Sequence, residues 1–555
     1  MLRRSSARVL VLLGLCLALT TTSCGAINGP PPTAPGAVTL TIQADGNAQE
    51  YQFTPGLTVR DAIAHAGLAM GELDRLTPPP YTVIANGMLI VITRVTESTD
   101  VEQVPLPYSS ETVRNETLAE GERRLLQVGQ AGIEEITYRT VLENGIQVSR
   151  SVVRRVTLSA PVPEIIMVGT QGSFTLVPIT GTVAYLNGRN AWIMRGNSGQ
   201  RLPLTISGDL DGHVFQLSND GQWLLFTREI TNSAASFNGL WVVPTAQITP
   251  TRTVTRTNPV AVRVPVTNVL YAEWSPVTPR LLAFTTADRI SRAPGWQANN
   301  NLWLTTFNER PGSRNLVFTS TRVLDSSSGG AYGWWGTGFA FAPDGASIAY
   351  ARTDSIGLLD VTLSTKKFTV TVSTSELLQF TAYNTHSDWA WYPPMRWAPD
   401  GHALYTITHG APIGLEAAED SPAFDLTALL VPAALQFKLI PRSGMFANPV
   451  PSPLVAAPDG TTSFRVAFLQ ATDPNNSPFT TYRLGVIDRD GSNLRFVFPP
   501  EGQPGLSANQ AVAWSPDGQL LAVVYDGNLW LVNPDTGQTQ QLTGDGLATT
   551  PRWSR

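Results

Sequence analysis

Short apolar runs separated by tight turns fill the C-terminal two thirds of the chain. In the clearest stretch, Ala511-Val512-Ala513-Trp514 runs into the turn Ser515-Pro516-Asp517-Gly518. Leu520 to Val524 and Asn528 to Val532 follow, and the bend Asp535-Thr536-Gly537 precedes Thr539 to Leu542. Apolar runs this short predict antiparallel strands, with proline in a turn where its missing donor is harmless and Asp-Gly permitting the tight bend. The turn recurs as Phe341-Ala342-Pro343-Asp344-Gly345, Trp397-Ala398-Pro399-Asp400-Gly401 and Ala457-Pro458-Asp459-Gly460, and more weakly as Asn219-Asp220-Gly221 and Trp274-Ser275-Pro276. Positions 219, 276, 343, 399, 458 and 516 stand 57, 67, 56, 59 and 58 residues apart, a period that indicates a repeat architecture.

The ends of this region help to count units. Pro551 to Arg555 reads as a first strand that stops, whereas Val183-Ala184-Tyr185-Leu186 and Asn190 to Met194 read as second and third strands without a first. Pairing the ends adds a composite unit to the six internal ones and satisfies both exposed edges. Six or eight units stay open, because the long region 411–450 has room to conceal a unit or to be an insertion. Four antiparallel strands per unit, arranged radially, describe a propeller blade. The sequence around the bends is similar to the TolB-type, WD40-like propeller repeat over residues 180–555, most clearly at 511–542.

Upstream the pattern changes. Leu40 to Ala44 and Gln49 to Phe53 predict two strands around Asp45-Gly46. Thr58 then caps a short helix from Val59 towards Gly67, with Asp61 in the acidic position of a capping box. Asn86-Gly87 precedes a further strand, Met88 to Val95, completing a small α+β grasp-like domain over 39–98. Residues 101–172 alternate polar and apolar positions, as in Glu135 to Val141 and Ser151 to Leu158. That pattern predicts an elongated antiparallel sheet with a thin core. Gly121, Gln127 to Gly132, Thr137-Tyr138 and Glu164 to Thr170 resemble the bacterial G5 domain. Thr58 to Ala62, Asp74-Arg75 and Asn86-Gly87-Met88 resemble the ubiquitin-like domain that accompanies G5 in cell-wall proteins. The G5 resemblance implies contact with peptidoglycan or another glycan containing N-acetylglucosamine, with Tyr138 an available aromatic. A purely structural spacer is the competing reading. The fold class expected is therefore mostly β: a ubiquitin-like α+β domain, an elongated G5-like sheet domain and a seven-bladed propeller.

Arg3, Arg4 and Arg8 precede the apolar stretch Val9 to Leu19, the pattern of an export signal over residues 1–23. Thr21-Thr22-Ser23-Cys24-Gly25 resembles a bacterial lipoprotein processing site, although Thr21 stands where leucine is commonest. The resemblance implies that Cys24 carries a lipid and that residues 24–38, rich in proline and glycine, form a tether. Ordinary secretion with cleavage near Ala26 is the rival. The only other cysteine is Cys16, inside the signal, so an internal disulfide does not account for Cys24. Membrane attachment through the N-terminal lipid is thus expected, on the extracytoplasmic face of a cell or outer membrane. Processing removes three arginines and no acid, moving the formal charge from -5 to -8. With no Lys/Arg-rich block, a nucleic-acid partner is not expected.

Candidate chemistry centres on aromatic loops. Tyr332, Trp334 and Trp335 precede the Phe341 turn, and Trp389, Trp391 and Tyr392 precede the Trp397 turn. Trp296 lies in a second-to-third-strand connection and Phe237 in its counterpart one unit earlier. Blade topology places all eight on one face, where rigid rings suit a glycan, peptide or protein partner; packing within loops or the channel is the alternative. Trp274, Trp397, Trp514 and Trp553 sit beside the blade turns and are expected in the core.

Catalytic motifs are absent from the sequence: no nucleophile elbow, no H-E-x-x-H and no glycine-rich phosphate loop. His65, His213, His386, His402 and His409 are dispersed, and Asp488, Asp490 and Asn493 lack the rest of a calcium loop. No metal or cofactor is expected. The leading reading is a surface lipoprotein that binds rather than catalyses. A polysaccharide-active enzyme using acids gathered in the propeller funnel is one alternative, and a structural assembly platform another.

Overall fold

The computed structural model describes residues 36–115, 118, 121–169, 175–246, 260–309, 315–364, 368–431, 433–456 and 460–555. The export signal, Cys24 and most of the tether lie outside the described residues. The chain divides into two units, one comprising residues up to 107 with 131–161, the other 108–130 with 162–555. Residues 101–172 contribute to both units.

The first unit opens on the mixed sheet anticipated around Asp45-Gly46. Val38–Ala44 pairs antiparallel with Asn47–Phe53 and parallel with Leu89–Thr93, which pairs with Arg75–Thr77. Both turn residues are left-handed, at φ 54° and 80°. Helix Val59–His65 begins with a capping box: Asp61 N–H donates to Thr58 Oγ1 (3.4 Å) and Thr58 N–H to Asp61 Oδ2 (3.0 Å). Alternate positions Leu40, Ile42, Ile90 and Ile92 meet Val59, Ala62 and Ile63 in one core. Arg94 interrupts the strand expected to continue to Val95, pairing with Asp45 (2.8 Å) and Asp74 (2.7 Å).

From Val95 a long strand, Val95–Leu106, starts a three-stranded antiparallel sheet with Gly132–Glu143 and Ile146–Ser159. Most of its side chains are exposed; Ile136 is a rare buried one. With so thin a core, charged pairs line the sheet, including Arg155–Glu134 (2.7 Å) and Arg150 with Asp100 (3.4 Å) and Glu102 (3.2 Å).

The rest of the G5-like segment departs from the antiparallel expectation. Glu164–Gly169 pairs parallel with Ser110–Asn115 and antiparallel with Arg123–Gln127. The intervening hairpin is long enough to return the chain in the same direction, as parallel pairing requires. Ile165, Met167, Leu118 and Leu126 form its small core, with Ile206 against it.

Among the described residues, the remainder of the second unit is a succession of seven antiparallel sheets of three to five strands, with one further two-stranded sheet. Sheet I joins Pro178–Asn187 to Asn190–Pro203 and to the C-terminal strand Ala548–Ser554. Sheets II to VII begin with inner strands Leu210–Leu217, Val269–Trp274, Gly338–Phe341, Met395–Trp397, Val450–Pro451 and Val512–Trp514. In each, successive strands pair in chain order, sheet III carrying an extra short strand at Trp296–Ala298. Sheet I has three strands, one fewer than a complete composite unit.

Second strands such as Leu281-Leu282-Ala283-Phe284 are apolar without alternation because both faces are covered. Leu282 and Phe284 join the cluster shared with sheet II, while Leu281 and Ala283 join that shared with sheet IV. The same logic links I to II, IV to V, V to VI and VI to VII. The seventh cluster joins sheet VII to sheet I, through Ala522, Val524 and Leu529 against Val183, Tyr185 and Met194. Burying one such side chain contributes about 1.5–3 kcal/mol, so these clusters dominate cohesion.

A repeated hydrogen bond defines the register of the sheets. Ser275 N–H donates to Leu281 O (2.9 Å), Ala342 to Ser347 (2.8 Å), Ala398 to Ala403 (2.7 Å) and Ser515 to Leu520 (2.8 Å). In sheet VI the equivalent donor is Ser452, to Arg465 O (2.7 Å). The turn of that unit is therefore Ser452-Pro453, correcting the assignment to 457–460. Residues 457–459 lie outside the described residues, within an insertion bracketed by the paired strands Val455–Ala456 and Thr462–Ser463.

Deleting residues 551–555 removes half of the C-terminal strand and the Trp553 Nε1–Thr180 O bond of 2.7 Å. The melting midpoint of the deletion variant should fall by several degrees in calorimetry; an unchanged midpoint contradicts the pairing of the two ends.

Candidate functional site

The repeated tryptophans are structural. Trp274 Nε1 donates to Gln216 O (3.0 Å), Trp397 to Ala340 O (3.0 Å) and Trp514 to Val450 O (2.8 Å), each bridging to the preceding sheet. Trp553 is partly buried and bonds within sheet I.

The eight loop aromatics separate into distinct groups. Tyr332 and Trp334 are 50% and 45% exposed, and both have left-handed backbone, at φ 56° and 116°. Such backbone strain in bulky residues persists only where the surroundings impose it. Here Ala331 N–H donates to Asp354 Oδ2 (3.0 Å), the Thr353 hydroxyl to Ala331 O, and Ala298 N–H to Trp334 O (2.8 Å). In the same loop, Trp335 meets Trp296 edge to face at 5.7 Å. Tyr332 and Trp334 are thus held outward by a fixed loop, with the Trp296–Trp335 pair as its support.

The second loop does not present its rings in the expected way. Trp391 is 3% exposed, donates through Nε1 to Met445 O (3.1 Å) and packs on Phe424 at 4.9 Å. It is a core residue of sheets V and VI, not a rim residue. Trp389 packs partly buried against the same cluster. Tyr392 packs so closely on Gly338 that a Cβ there would lie 2.9 Å from its ring, and burial raises its phenol pKa. Phe237 stands apart, 6.1 Å from the His213 ring. The hydrogen bond that His213 donates to the Asp211 carboxylate raises the His213 pKa.

In the other unit, Tyr138 is covered on one face by Arg150, whose guanidinium lies 3.8 Å from the ring centre. A sugar stacking on that face must displace a cation–π contact. His386 pairs with Asp420 (2.7 Å) instead of nearby Asp388, and His409 contacts Thr381 O (2.7 Å) and Ser421 O (2.8 Å). Asp490 Oδ1 accepts from the Ser492 N–H (3.0 Å) and hydroxyl (2.6 Å), the geometry of a bend. Among the described residues no cluster of His, Cys, Asp or Glu has metal-binding geometry. A cavity of about 510 Å³ lies between sheets V and VI, with Tyr405, Phe437 and Phe464 on its apolar wall and Asp400, His402 and Arg489 at its polar edge.

One polar constellation went unread in the sequence. Glu273, Arg396 and Arg552 each immediately precede a repeated tryptophan, so they occupy one register in sheets III, V and I. Gln216 holds the same register in sheet II, where its Oε1 accepts from Arg552 Nε (3.0 Å). Sheets I, III and V are not neighbours, yet Arg396 and Arg552 both act on Glu273, and Arg396 also acts on Tyr271. The inner strands therefore bring one polar layer together.

Burial pushes the Glu273 carboxyl up to about 7, against the opposing pull of both arginines. Burial likewise raises Tyr271 to about 12 and lowers Arg552 to about 10. Glu273 Oε2 is buried without a hydrogen-bond partner among the described residues. The signal available in the sequence was the recurrence of a charge just before a core tryptophan in otherwise apolar strands.

Comparison with known proteins supplies the domain names. The G5-linked ubiquitin-like family model matches residues 40–80 and the G5 model residues 97–171. The chain therefore carries both domains. The model of the dipeptidyl peptidase IV N-terminal region matches residues 487–552. Among similar solved structures, the G5 domain of IgA1 protease is 29% identical, covering 14% of this chain and 94% of that one, with TM-score 0.12. TolB from Acinetobacter baumannii is 10% identical over 82% of this chain and 99% of its own, with TM-score 0.33. A prolyl endopeptidase is 12% identical over 68% of this chain and 49% of its own, with TM-score 0.40.

Two measurements test these assignments. Trp391→Ala should cost about 3–5 kcal/mol in urea denaturation, and Tyr332→Ala within about 0.5 kcal/mol of zero; similar costs would contradict the division between core and rim. The raised Glu273 pKa means that the folded state holds its proton more tightly than the unfolded state. Its contribution to stability is full below about pH 4.5 and is lost as pH rises through about 7. Glu273→Gln should therefore remove that loss, stabilising the protein at alkaline pH relative to the wild type in pH-dependent melting.

Proposed function

We propose that the seven sheets are blades of a β-propeller, residues 180–555, and that this propeller is a recognition platform for a protein, peptide or glycan partner. Support for the architecture comes from the cycle of seven shared clusters and the strand supplied by the C-terminus. The observation that carries the binding role is the outward presentation of Tyr332 and Trp334 from a strained, hydrogen-bonded loop. Ordering such rings in advance lowers the entropic cost of association.

The platform belongs to a multidomain cell-envelope protein capable of surface or protein contacts, as the ubiquitin-like and G5 matches support. No helix among the described residues is long and apolar enough to cross a membrane. In our reading, lipid on Cys24 holds the protein to the membrane on its extracytoplasmic side. The G5 region then contacts peptidoglycan or another N-acetylglucosamine-containing glycan, or serves as a stalk. Binding is favoured over glycoside hydrolysis by the polar layer, where one carboxylate faces two arginines; glycosidases generally require paired carboxylates.

Two experiments test the reading. Cys24→Ser should release the protein from the membrane fraction and abolish lipid labelling; continued membrane association rejects the anchor. In pull-downs with purified wall glycan and with envelope proteins, Tyr332→Ala/Trp334→Ala should lose at least about tenfold in capture of the propeller's partner. Tyr138→Ala should weaken only glycan capture. Undiminished capture by the double variant would reject the rim as the platform.

A further inference from the structure

The layer formed by Tyr271, Glu273, Arg396 and Arg552 is not used by the aromatic rim, and its composition specifies a ligand chemistry. Around the shared register the residues are Arg552, Gln216, Glu273, Ala340, Arg396, Val450 and Ala513 in sheets I to VII. Polar side chains come from sheets I, II, III and V, whereas sheets IV, VI and VII contribute only short ones. Although protein surrounds the four named residues, each keeps part of its surface accessible.

The two guanidiniums are held by tethers that leave donors unused. Arg396 Nη1 donates to Met395 O (2.9 Å). Arg552 donates from Nε to Gln216 Oε1 (3.0 Å) and from Nη1 to Pro551 O (3.0 Å). A guanidinium carries five N–H donors, so both retain capacity after these bonds. Glu273 Oε2 and the Tyr271 hydroxyl are likewise buried without a hydrogen bond of ordinary geometry among the described residues. Tyr271 is fixed from behind by Phe339, ring centres 4.8 Å apart.

We propose that this layer is a carboxylate-binding site, in which Arg396 and Arg552 receive the carboxylate of a ligand while Tyr271 and protonated Glu273 donate hydrogen bonds to it. Charge favours a single carboxylate. Two fixed cations are opposed by one acid that itself gains a proton near neutrality, leaving a net positive cradle. Guanidinium forks match the planar carboxylate, and hydrogen bonds to a charged acceptor are about twice as strong as neutral ones. The acid also makes binding dependent on pH. Deprotonated Glu273 repels the ligand, so affinity rises as pH falls through about 7. Arg396, Arg552 and Tyr271 are the other titratable groups acting on Glu273 or on one another in this layer, and all three titrate well above that range. A carboxylate of this kind is carried by a peptide C-terminus or by an acidic sugar.

The test is isothermal titration calorimetry on the full-length protein. The probes are N-acetyl-alanyl-alanine with its amide, and glucuronic acid with its methyl ester. At about pH 6 at least one acid should bind while its neutral counterpart does not, and which acid binds identifies the source. Arg396→Gln and Arg552→Gln should each weaken binding at least about tenfold. Affinity in the wild type should fall between about pH 6 and pH 8, whereas Glu273→Gln should bind with little change over that interval. The Glu273→Gln measurement decides the matter even if an arginine variant does not fold. The proposal is overturned if no acid binds, if acid and neutral probes bind alike, or if wild type and Glu273→Gln show the same pH dependence. Because Tyr332 and Trp334 lie outside this layer, these outcomes are independent of those for the rim.

Discussion

Hydrogen bonding between the two ends of the C-terminal region is the constraint on which the rest of that region depends. Ala548–Ser554 supplies the inner strand of sheet I, pairing Thr182 with Ser554 and Val183 with Trp553. Without it, sheet I would expose an edge and the seventh hydrophobic cluster would lose Ala548 and Trp553. Arg552 would also leave the polar layer. A single strand thus connects cohesion, through Trp553 and Ala548, to the chemistry of the interior, through Arg552.

Two kinds of surface follow from this arrangement. The inner register is built from strands, whose positions are set by sheet hydrogen bonds and by tryptophans bonded to the preceding sheet. Its charged residues therefore meet with little freedom to rearrange, and burial keeps Glu273 near its point of titration. The outer surface is built from loops, and its order has a different origin. Tyr332 and Trp334 stay outward because the Asp354 carboxylate, the Thr353 hydroxyl and the Ala298 N–H fix the backbone around them. The two surfaces thus differ in chemistry as well as in origin, one charged and buried, the other aromatic and exposed.

Much of this architecture was legible in the sequence, for identifiable reasons. Turns with Pro-Asp-Gly marked sheets IV, V and VII, the Thr58–Asp61 pair marked the helix start, and the unmatched strands at 183–194 and 551–555 marked the shared sheet. Sheet VI was misread because its own turn, Ser452-Pro453, lacks Asp-Gly, while the inserted segment displays Pro-Asp-Gly. The parallel pairing of Glu164–Gly169 was hidden because strand direction depends on where a long hairpin returns. Trp391 resembled a rim residue because its burial comes from Met445 and Phe424, which are far away in sequence. The polar layer was visible as charges preceding Trp274, Trp397 and Trp553, but its meaning emerges only when separate sheets converge.

Hydrogen–deuterium exchange on the full-length protein tests the central claim most directly. Amides of Val183 to Leu186 and of Ala548 to Ser554 should be protected to the same extent as those of the inner strand Val269–Trp274, since closure places all three in cooperative sheets. Rapid exchange at Ala548 to Ser554, as at a frayed terminus, would contradict closure of the sheets by the chain ends.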